Sequence, residues 1–158
     1  MHPTRKPATS VPEPPERVET PAGVLRHAAL YLTRYGWTQR DFYTYAHGDE
    51  LLPSACLVGA IRAAVCGKPC RSTDTNSQAR EIRAAEFLIA DHLGLGPDTD
   101  IEAADMDAGD IEDRLTGWND ETGRTPVQVI TELVAAADAY DRDAAALDYF
   151  IQFPGGAQ

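Results

Sequence analysis

Apolar side chains recur at helical spacing along most of this chain, and this periodicity restricts the fold more than any other feature. Within residues 24–35 the apolar positions lie mostly three or four residues apart, which places them on one face of a helix. Similar stripes occupy residues 57–65, 82–93 and 129–137. We therefore predict an all-α fold, a compact bundle-like single domain, with one small β-hairpin allowed between residues 36 and 53.

Residues that start and stop helices set the limits of the first two. Thr20 is a good N-cap, Pro21 suits the first helical position, and Gly36 is a typical stop. The second helix is predicted to begin with Ser54 as its cap and to end at Gly67.

Further helices are predicted over residues 77–93, 106–116 and 142–151, and a strong one begins after Thr125. Thr125 and Gln128 form a capping-box pattern around Pro126 at the first position. The strong helix is expected to bury Val129, Ile130, Leu133, Val134 and Ala137. The short last helix is expected to return Leu147, Phe150 and Ile151 to the core.

The composition of the ends predicts three regions. Residues 1–20 contain five prolines and almost no large apolar side chains, so they are expected to form a flexible, disordered arm. Residues 21–153 are predicted to be the single helical domain, and residues 154–158 a tail.

Acidic residues dominate the charge of the chain. The 158 residues carry a formal charge of −11, and residues 98–121 hold ten acidic side chains against one arginine. Such a chain should repel phosphate backbones, so we expect no nucleic-acid binding and favour a protein partner with a basic surface. No apolar run approaches 18 residues, so no membrane segment is expected. Three cysteines without a signal peptide predict reduced thiols and a cytoplasmic location.

Two motifs suggest a family. "CLVGAIRAA", residues 56–64, and "WNDETGRTPVQVITELVAAA", residues 118–137, occur in this order. The chain thereby resembles a small uncharacterised family of high-GC bacterial and phage proteins with a C-x-x-G-A-[IL] helix start and a later W-N-D-x-x-G-R-T turn. The likeness covers roughly residues 22–140. It supports the domain limits and implies no activity, because none is established for that family.

A thiol-dependent enzyme is one functional hypothesis. Cys56 is predicted near a helix N-terminus, where the helix dipole and free amides lower a thiol's pKa. His92 and Asn119 follow in the chain, in the order of a base and an orienting amide, and His47 is an equally good base. A cysteine on an apolar helix face is more often a small core residue, and we favour that interpretation of Cys56.

A small-ligand site is a second hypothesis, built on the aromatic residues of positions 35–45. Its candidate residues are Trp37, Tyr43, Tyr45, His47, Trp118, Asp120 and Arg124. Core packing explains the same aromatic residues equally well. We interpret Trp118-Asn119-Asp120 as a turn that leads into the next helix, with Trp118 anchoring the loop.

Patterns for metals and nucleotides are not met. Cys66 and Cys70 lack a second ligand pair for zinc, and residues 105–116 depart from the EF-hand loop. No phosphate-binding glycine loop is found, so no metal and no cofactor are predicted. Four arginines lie near the second and third helices, where they either receive an anion or neutralise the acidic block: Arg62, Arg71, Arg80 and Arg83.

These observations favour a small acidic accessory or interaction protein, such as a stabilising subunit of a larger biosynthetic enzyme. The size, the charge and the lack of a complete catalytic set support this hypothesis. The thiol enzyme and the aromatic ligand pocket stay open as alternatives. The sequence predicts no oligomeric state.

Overall fold

The computed structural model describes residues 20–46, 52–97 and 108–152 of the protein. Its helices are α1 (Pro21–Tyr35), α2 (Leu57–Cys66), α3 (Asn76–His92), α4 (Ala108–Asn119) and α5 (Pro126–Gln152), and its strands are β1 (Tyr43–Thr44) and β2 (Ser54–Ala55). The predicted arm before Thr20, the predicted tail 154–158 and His47 lie outside the described residues. The mostly helical fold with one small hairpin confirms the predicted fold class.

Helix α1 lies at the centre of the helical packing. It begins at the predicted cap, where Thr20 Oγ1 accepts the Gly23 N–H at 3.1 Å, and it ends at Gly36. Its apolar face is fully buried at Val24 and Leu25, among others. Helices α2, α3 and α5 all contact α1, so this face forms the interior of the domain.

The hairpin carries the chain from α1 into α2. Strands β1 and β2 pair antiparallel, with Tyr43 opposite Ala55 and Thr44 opposite Ser54. The predicted cap at Ser54 is therefore wrong, since this residue belongs to a strand and its hydroxyl donates to the Thr44 carbonyl at 3.1 Å. Cross-strand pairing outweighs the local capping preference of serine, and Cys56 caps α2 instead.

The first turn of α2 passes unusually close to the hairpin. A Cβ on Gly59 would lie 2.3 Å from the Phe42 carbonyl oxygen, which is too close for any side chain. A glycine at this position therefore allows the backbone of Phe42 to approach α2.

Helix α3 follows the prediction, whereas α4 extends beyond it. Thr75 and Gln78 form a capping box at the start of α3. Helix α4 ends at Asn119 rather than at residue 116, so Trp118 and Asn119 occupy its last turn and not a loop. Ile111 and Leu115 are fully buried, which anchors α4 against α2 and α3.

Helix α5 corrects the prediction of two separate C-terminal helices. Its capping box is confirmed, since Gln128 N–H donates to Thr125 Oγ1 at 3.3 Å and Thr125 N–H to Gln128 Oε1 at 2.9 Å. The helix then continues through residues 139–143 because this segment contains no glycine or proline. Leu147 and Ile151 are exposed and do not return to the core, and Val134 is also exposed. Nothing is described for the side chain of Phe150.

The cysteines differ from the prediction of three reduced thiols. Cys66 and Cys70 form a disulfide across the turn that ends α2, and Cys56 is a buried free thiol. Within the three described ranges, no helix combines the length and the apolar character needed to cross a membrane.

Candidate functional site

The two sequence motifs meet at the side chain of Asn119. This side chain is fully buried, and its Oδ1 accepts the Trp37 indole N–H at 2.8 Å and the Leu57 N–H at 3.0 Å. Its Nδ2 donates to the Thr38 carbonyl at 3.2 Å and to Asp120 Oδ1 at 2.8 Å. We call this set of contacts the Asn119 junction, and it joins the end of α4 to the loop after α1 and to the first turn of α2.

The hydrogen-bonding capacity of Asn119 is fully used. An amide side chain accepts two hydrogen bonds and donates two, and all four are made to the protein. One of them satisfies the Leu57 N–H, which is a helix N-terminal donor without an intrahelical partner. An orienting role toward a catalytic base would require breaking one of these bonds, so the geometry favours a structural role for Asn119.

Asp120 and Gln39 complete the junction on its exposed side. Asp120 Oδ1 also accepts the Arg40 N–H at 2.8 Å, which holds Arg40 at a φ of 72°. Gln39 Nε2 donates to the carbonyls of Asn119 and Glu121 at 3.0 and 3.2 Å. A left-handed non-glycine residue is costly, and Asp120 supplies the contact that fixes it.

Trp118 and Arg124 form a second contact in the same turn. The Arg124 guanidinium lies 3.8 Å from the Trp118 ring centroid, and its Nε donates to the Trp118 carbonyl at 3.0 Å. Arg124 also pairs with Glu121. The guanidinium thus contacts both Trp118 and Glu121 within the turn. These contacts explain how a tryptophan and an arginine six residues apart stabilise this loop.

Cys56 is the N-cap of α2. Its Sγ accepts the Gly59 N–H at 3.3 Å, and its side chain is buried. The C-x-x-G spacing therefore combines a cap with the close approach of Phe42 to Gly59. Burial raises the pKa of the Cys56 thiol, and the nearby Asp120 carboxylate adds to this, while the Gly59 and Val58 amides act in the opposite direction. The expected lowering of this pKa by the helix N-terminus is wrong, because desolvation is the larger effect.

A small cavity lies beside Cys56. It measures about 50 Å³ and is lined by Arg40, Asp41, Phe42, Cys56, Thr116 and Asp120. That volume holds one or a few water molecules and is far below the several hundred Å³ of a typical small-molecule site. The cavity gives the thiol no room for an organic substrate.

The predicted base His92 lies in a different set of contacts. It ends α3, and its Nε2 lies 2.9 Å from Glu132 Oε2 on α5. Cys56 bonds within α2, so no hydrogen bond between described residues connects the two side chains. Of the predicted triad, Asn119 bonds to the backbone of Leu57, the residue after Cys56, whereas His92 pairs with Glu132.

The predicted aromatic pocket is divided between the core and the surface. Tyr43 is buried, and its hydroxyl donates to the Gly59 carbonyl at 2.9 Å and accepts the Cys70 N–H at 3.1 Å. Trp37 and Trp118 pack partly buried against the core, and Tyr45 is half exposed. These contacts bind the loop to the domain, and Trp37, Tyr43, Tyr45 and Trp118 do not line the cavity beside Cys56.

The structure also reveals a residue that sequence reasoning missed. Glu86 is buried on α3, at 3% exposure, next to Arg62 of α2. The available signal was its position in the apolar stripe, four residues after Ile82 and three before Ile89. No cluster of three or more His, Cys, Asp or Glu side chains that fits a metal ion occurs among the described residues.

Comparison with known proteins places the chain without assigning an activity. Residues 16–139 match the model of a family of unknown function (DUF6197). This agrees with the resemblance to an uncharacterised family. No curated protein and no solved structure matches the chain.

Proposed function

The chain belongs to the family of unknown function DUF6197, and from that premise we propose that it is a small acidic accessory protein that binds a larger protein partner. The observation that carries the proposal is the exposed apolar face at the end of α5. The thiol enzyme is not carried forward, because Cys56 caps a helix beside a cavity too small for a substrate. The aromatic pocket is likewise set aside, since its residues serve the core and the loop.

Helix α5 leaves the body of the domain near Asp141. Arg26 of α1 pairs with Asp138 and with Asp141, both at 2.7 Å, and these are the last ion pairs between the two helices among the described residues. The described side chains of residues 142–152 are all exposed. At 1.5 Å per residue, residues 142–152 extend about 16 Å.

An apolar stripe runs along this exposed last part of α5. Tyr140, Ala144, Leu147 and Ile151 are spaced four, three and four residues apart, which places them on one helix face, and we call them the α5 stripe. Leu147 is 61% exposed and Ile151 69%. Large aliphatic side chains in one row on an exposed helix face support the proposal of an interaction surface, because exposed apolar residues scattered singly do not form such a row.

The charges beside the stripe indicate the kind of partner. At about 100° per residue, Asp143 and Asp148 lie on opposite sides of the stripe. The whole chain carries −11, so its field also favours a basic partner. These features fit a protein with an apolar groove bordered by lysine or arginine. The family match ends at residue 139, so the proposal rests on this chain's own sequence beyond it.

The proposal includes a cytoplasmic location for the protein. In that compartment thiols are kept reduced, so the proposal expects Cys66 and Cys70 to be reduced in the cell although they are disulfide-bonded in this structure, and their state provides a direct test. Thiols are trapped in intact cells with a membrane-permeable alkylating agent, and the labels are counted by mass spectrometry after unfolding in the same agent. Three labels agree with a cytoplasmic location, and a single label on Cys56 contradicts it.

The partner is tested with matched glutamate variants of α5. Tagged wild-type protein, the double variant Leu147→Glu/Ile151→Glu and the control Val127→Glu are used for capture from the native host at low and raised salt. Val127 is 71% exposed at the other end of α5, so it controls for added charge on an exposed apolar position of the same helix. A captured protein is identified by mass spectrometry, and its affinity is then measured with purified components.

We expect wild type and Val127→Glu to bind with equal affinity and the double variant to bind about tenfold or more weakly. Raised salt should slow association, because the flanking aspartates act at long range. Equal binding by the double variant contradicts the proposal. So does a wild-type dimer in light scattering that the double variant dissociates, because the stripe would then serve a second copy of the chain.

A further inference from the structure

A polar cavity separate from the Asn119 junction lies between α2, α3 and α4. It measures about 420 Å³, within the range of small-molecule sites. Three arginines, two hydroxyl side chains, two glutamates and two apolar side chains line it. They are Arg62, Arg71, Arg83, Ser72, Thr73, Glu86, Glu112, Ile82 and Ala79. We call it the arginine cavity. All of its lining residues lie within the family match.

Two buried side-chain atoms in the arginine cavity have no hydrogen-bond partner among the described residues. They are Arg62 Nε, a donor, and Glu86 Oε1, an acceptor in its ionised form, and they lie 4.0 Å apart. The side chain of Glu86 is only 4% exposed. An unpartnered buried polar group costs stability unless water or a ligand satisfies it, so this pair offers one donor and one acceptor to a ligand in the cavity.

Contacts around Arg62 hold this pair in place. Its two terminal nitrogens donate to the Glu112 carboxylate and to the Arg71 carbonyl. Its guanidinium also lies 5.1 Å from the ring centroid of Phe42. With these contacts made, the Nε–H of Arg62 has a fixed direction beside Glu86. Such preorganisation reduces the entropy lost when a ligand binds.

Other lining residues of the arginine cavity are suited to an anion. Arg71 and Arg83 line it together with Ser72 and Thr73, whose hydroxyls donate hydrogen bonds to phosphate or carboxylate oxygens. Arg62 is already neutralised by Glu112, which leaves Arg71 and Arg83 as the cations available to a ligand. Their positive charge stands against −11 for the whole chain.

The size of the anion follows from this contrast. Screening limits the reach of charges to about 8 Å at physiological salt, so a small anion in the cavity experiences mainly the nearby arginines. A polyanion such as RNA would extend over the acidic remainder of the surface and be repelled.

We propose that the arginine cavity binds a small organic anion, with its phosphate or carboxylate on Arg71 and Arg83 and a hydrogen-bond donor, such as an ammonium group, on Glu86. The anionic end accounts for the cationic wall, and the donor accounts for the buried carboxylate. Nothing in this inference depends on the α5 stripe, which lies on a different part of the molecule.

The test uses the full-length, isotope-labelled protein and follows the arginine Nε–H signals by NMR. The probes are inorganic phosphate, O-phosphoserine and L-glutamate, which separate a bare anion, a phosphate with an ammonium group and a carboxylate with an ammonium group. Arg83→Ala is compared with Arg80→Ala, a matched loss of charge one turn away on α3 at a residue that does not line the cavity. Thermal melts check that each variant is folded.

We expect O-phosphoserine or L-glutamate to bind, and Arg83→Ala to weaken that binding about fivefold or more while Arg80→Ala changes it less than about twofold. Glu86→Gln, which keeps the shape of the side chain, should reduce the advantage of the ammonium-bearing probe over inorganic phosphate. Equal weakening by the two arginine variants would show a general charge effect and overturn the proposal. It is also overturned if no probe binds below about 10 mM, or if inorganic phosphate binds as well as the others.

Discussion

The Asn119 junction and the arginine cavity differ in whether their buried polar groups have hydrogen-bond partners among the described residues. At the junction, one buried amide makes four hydrogen bonds within the protein. In the cavity, one oxygen of a buried carboxylate and a guanidinium nitrogen 4.0 Å from it have no hydrogen-bond partner among the described residues. Both groups are removed from water, so the difference lies only in whether the protein itself satisfies them.

The clearest sequence motif and the candidate ligand site therefore consist of different residues. The most conspicuous motif, Trp118-Asn119-Asp120, is used to hold a loop, a helix end and a helix start together. Glu86 belongs to no motif, yet it has the unsatisfied bonding capacity that a ligand site requires. In this protein the distinctive sequence therefore marks the structural part, and the candidate ligand site is made of ordinary residues on neighbouring helices.

The largest expected effect is the loss of the junction. Asn119→Ala leaves the Leu57 N–H, the Trp37 indole N–H and the Thr38 carbonyl without their partner. We expect the free energy of unfolding to fall by about 3–5 kcal/mol. Urea denaturation followed by circular dichroism measures it, with Asn76→Ala at an exposed position as the control, expected within about 0.5 kcal/mol of wild type. A loss below about 1 kcal/mol would show that Asn119 does not make all four of its hydrogen bonds in solution.

The next effect concerns the cavity and depends on pH. Burial raises the pKa of Glu86 from 4.5 to about 7, the Glu112 carboxylate adds to this, and Arg62 and Arg83 oppose it. Between these values the folded chain keeps a proton that the unfolded chain has lost. The free energy of unfolding should therefore fall as pH rises from about 4.5 to about 7, by about 3 kcal/mol in all.

Glu86→Gln isolates this effect because it removes the titration and keeps the shape. Denaturation of wild type and variant at several pH values gives the difference in their free energies of unfolding, in which the titration of other carboxylates cancels. This difference should change by about 3 kcal/mol across the window, with the variant gaining on wild type as pH rises. A constant difference would show that Glu86 is ionised throughout, and hence that it has a partner in solution.

Local signals in the sequence predicted the local features correctly. Thr20 and Gly36 cap the start and the end of α1, and Thr125 with Gln128 caps the start of α5. These signals were readable because a cap depends on residues within one turn of it. Ser54 failed because its pairing partner lies ten residues away in β1. The end of α5 was misjudged because apolar residues were assumed to be buried, whereas none of the described residues covers Leu147 or Ile151.

The site depended on contacts that no local pattern encodes. Asn119 bonds to Trp37 and Leu57, which are more than 60 residues away in the chain. The sequence alone could therefore not distinguish this buried, fully bonded amide from an ordinary turn residue. The cavity requires α2, α3 and α4 to be placed relative to one another before Arg62 and Glu86 become neighbours. A glutamate within an apolar stripe was the one visible sign, and it identified neither the partner nor the cavity.

The smallest expected effect tests whether Cys56 belongs to the structural part as well. Cys56→Ala removes the acceptor of the Gly59 N–H and should lower the free energy of unfolding by about 1–2 kcal/mol, whereas Cys56→Ser keeps an acceptor and should remain within about 0.5 kcal/mol of wild type. Denaturation measures both. Because burial raises the pKa of the thiol, alkylation of native Cys56 by iodoacetamide at neutral pH should also be slower than that of the unfolded chain. A faster native rate would reveal a stabilised thiolate. Cys56 would then be a reactive group and not only a helix cap.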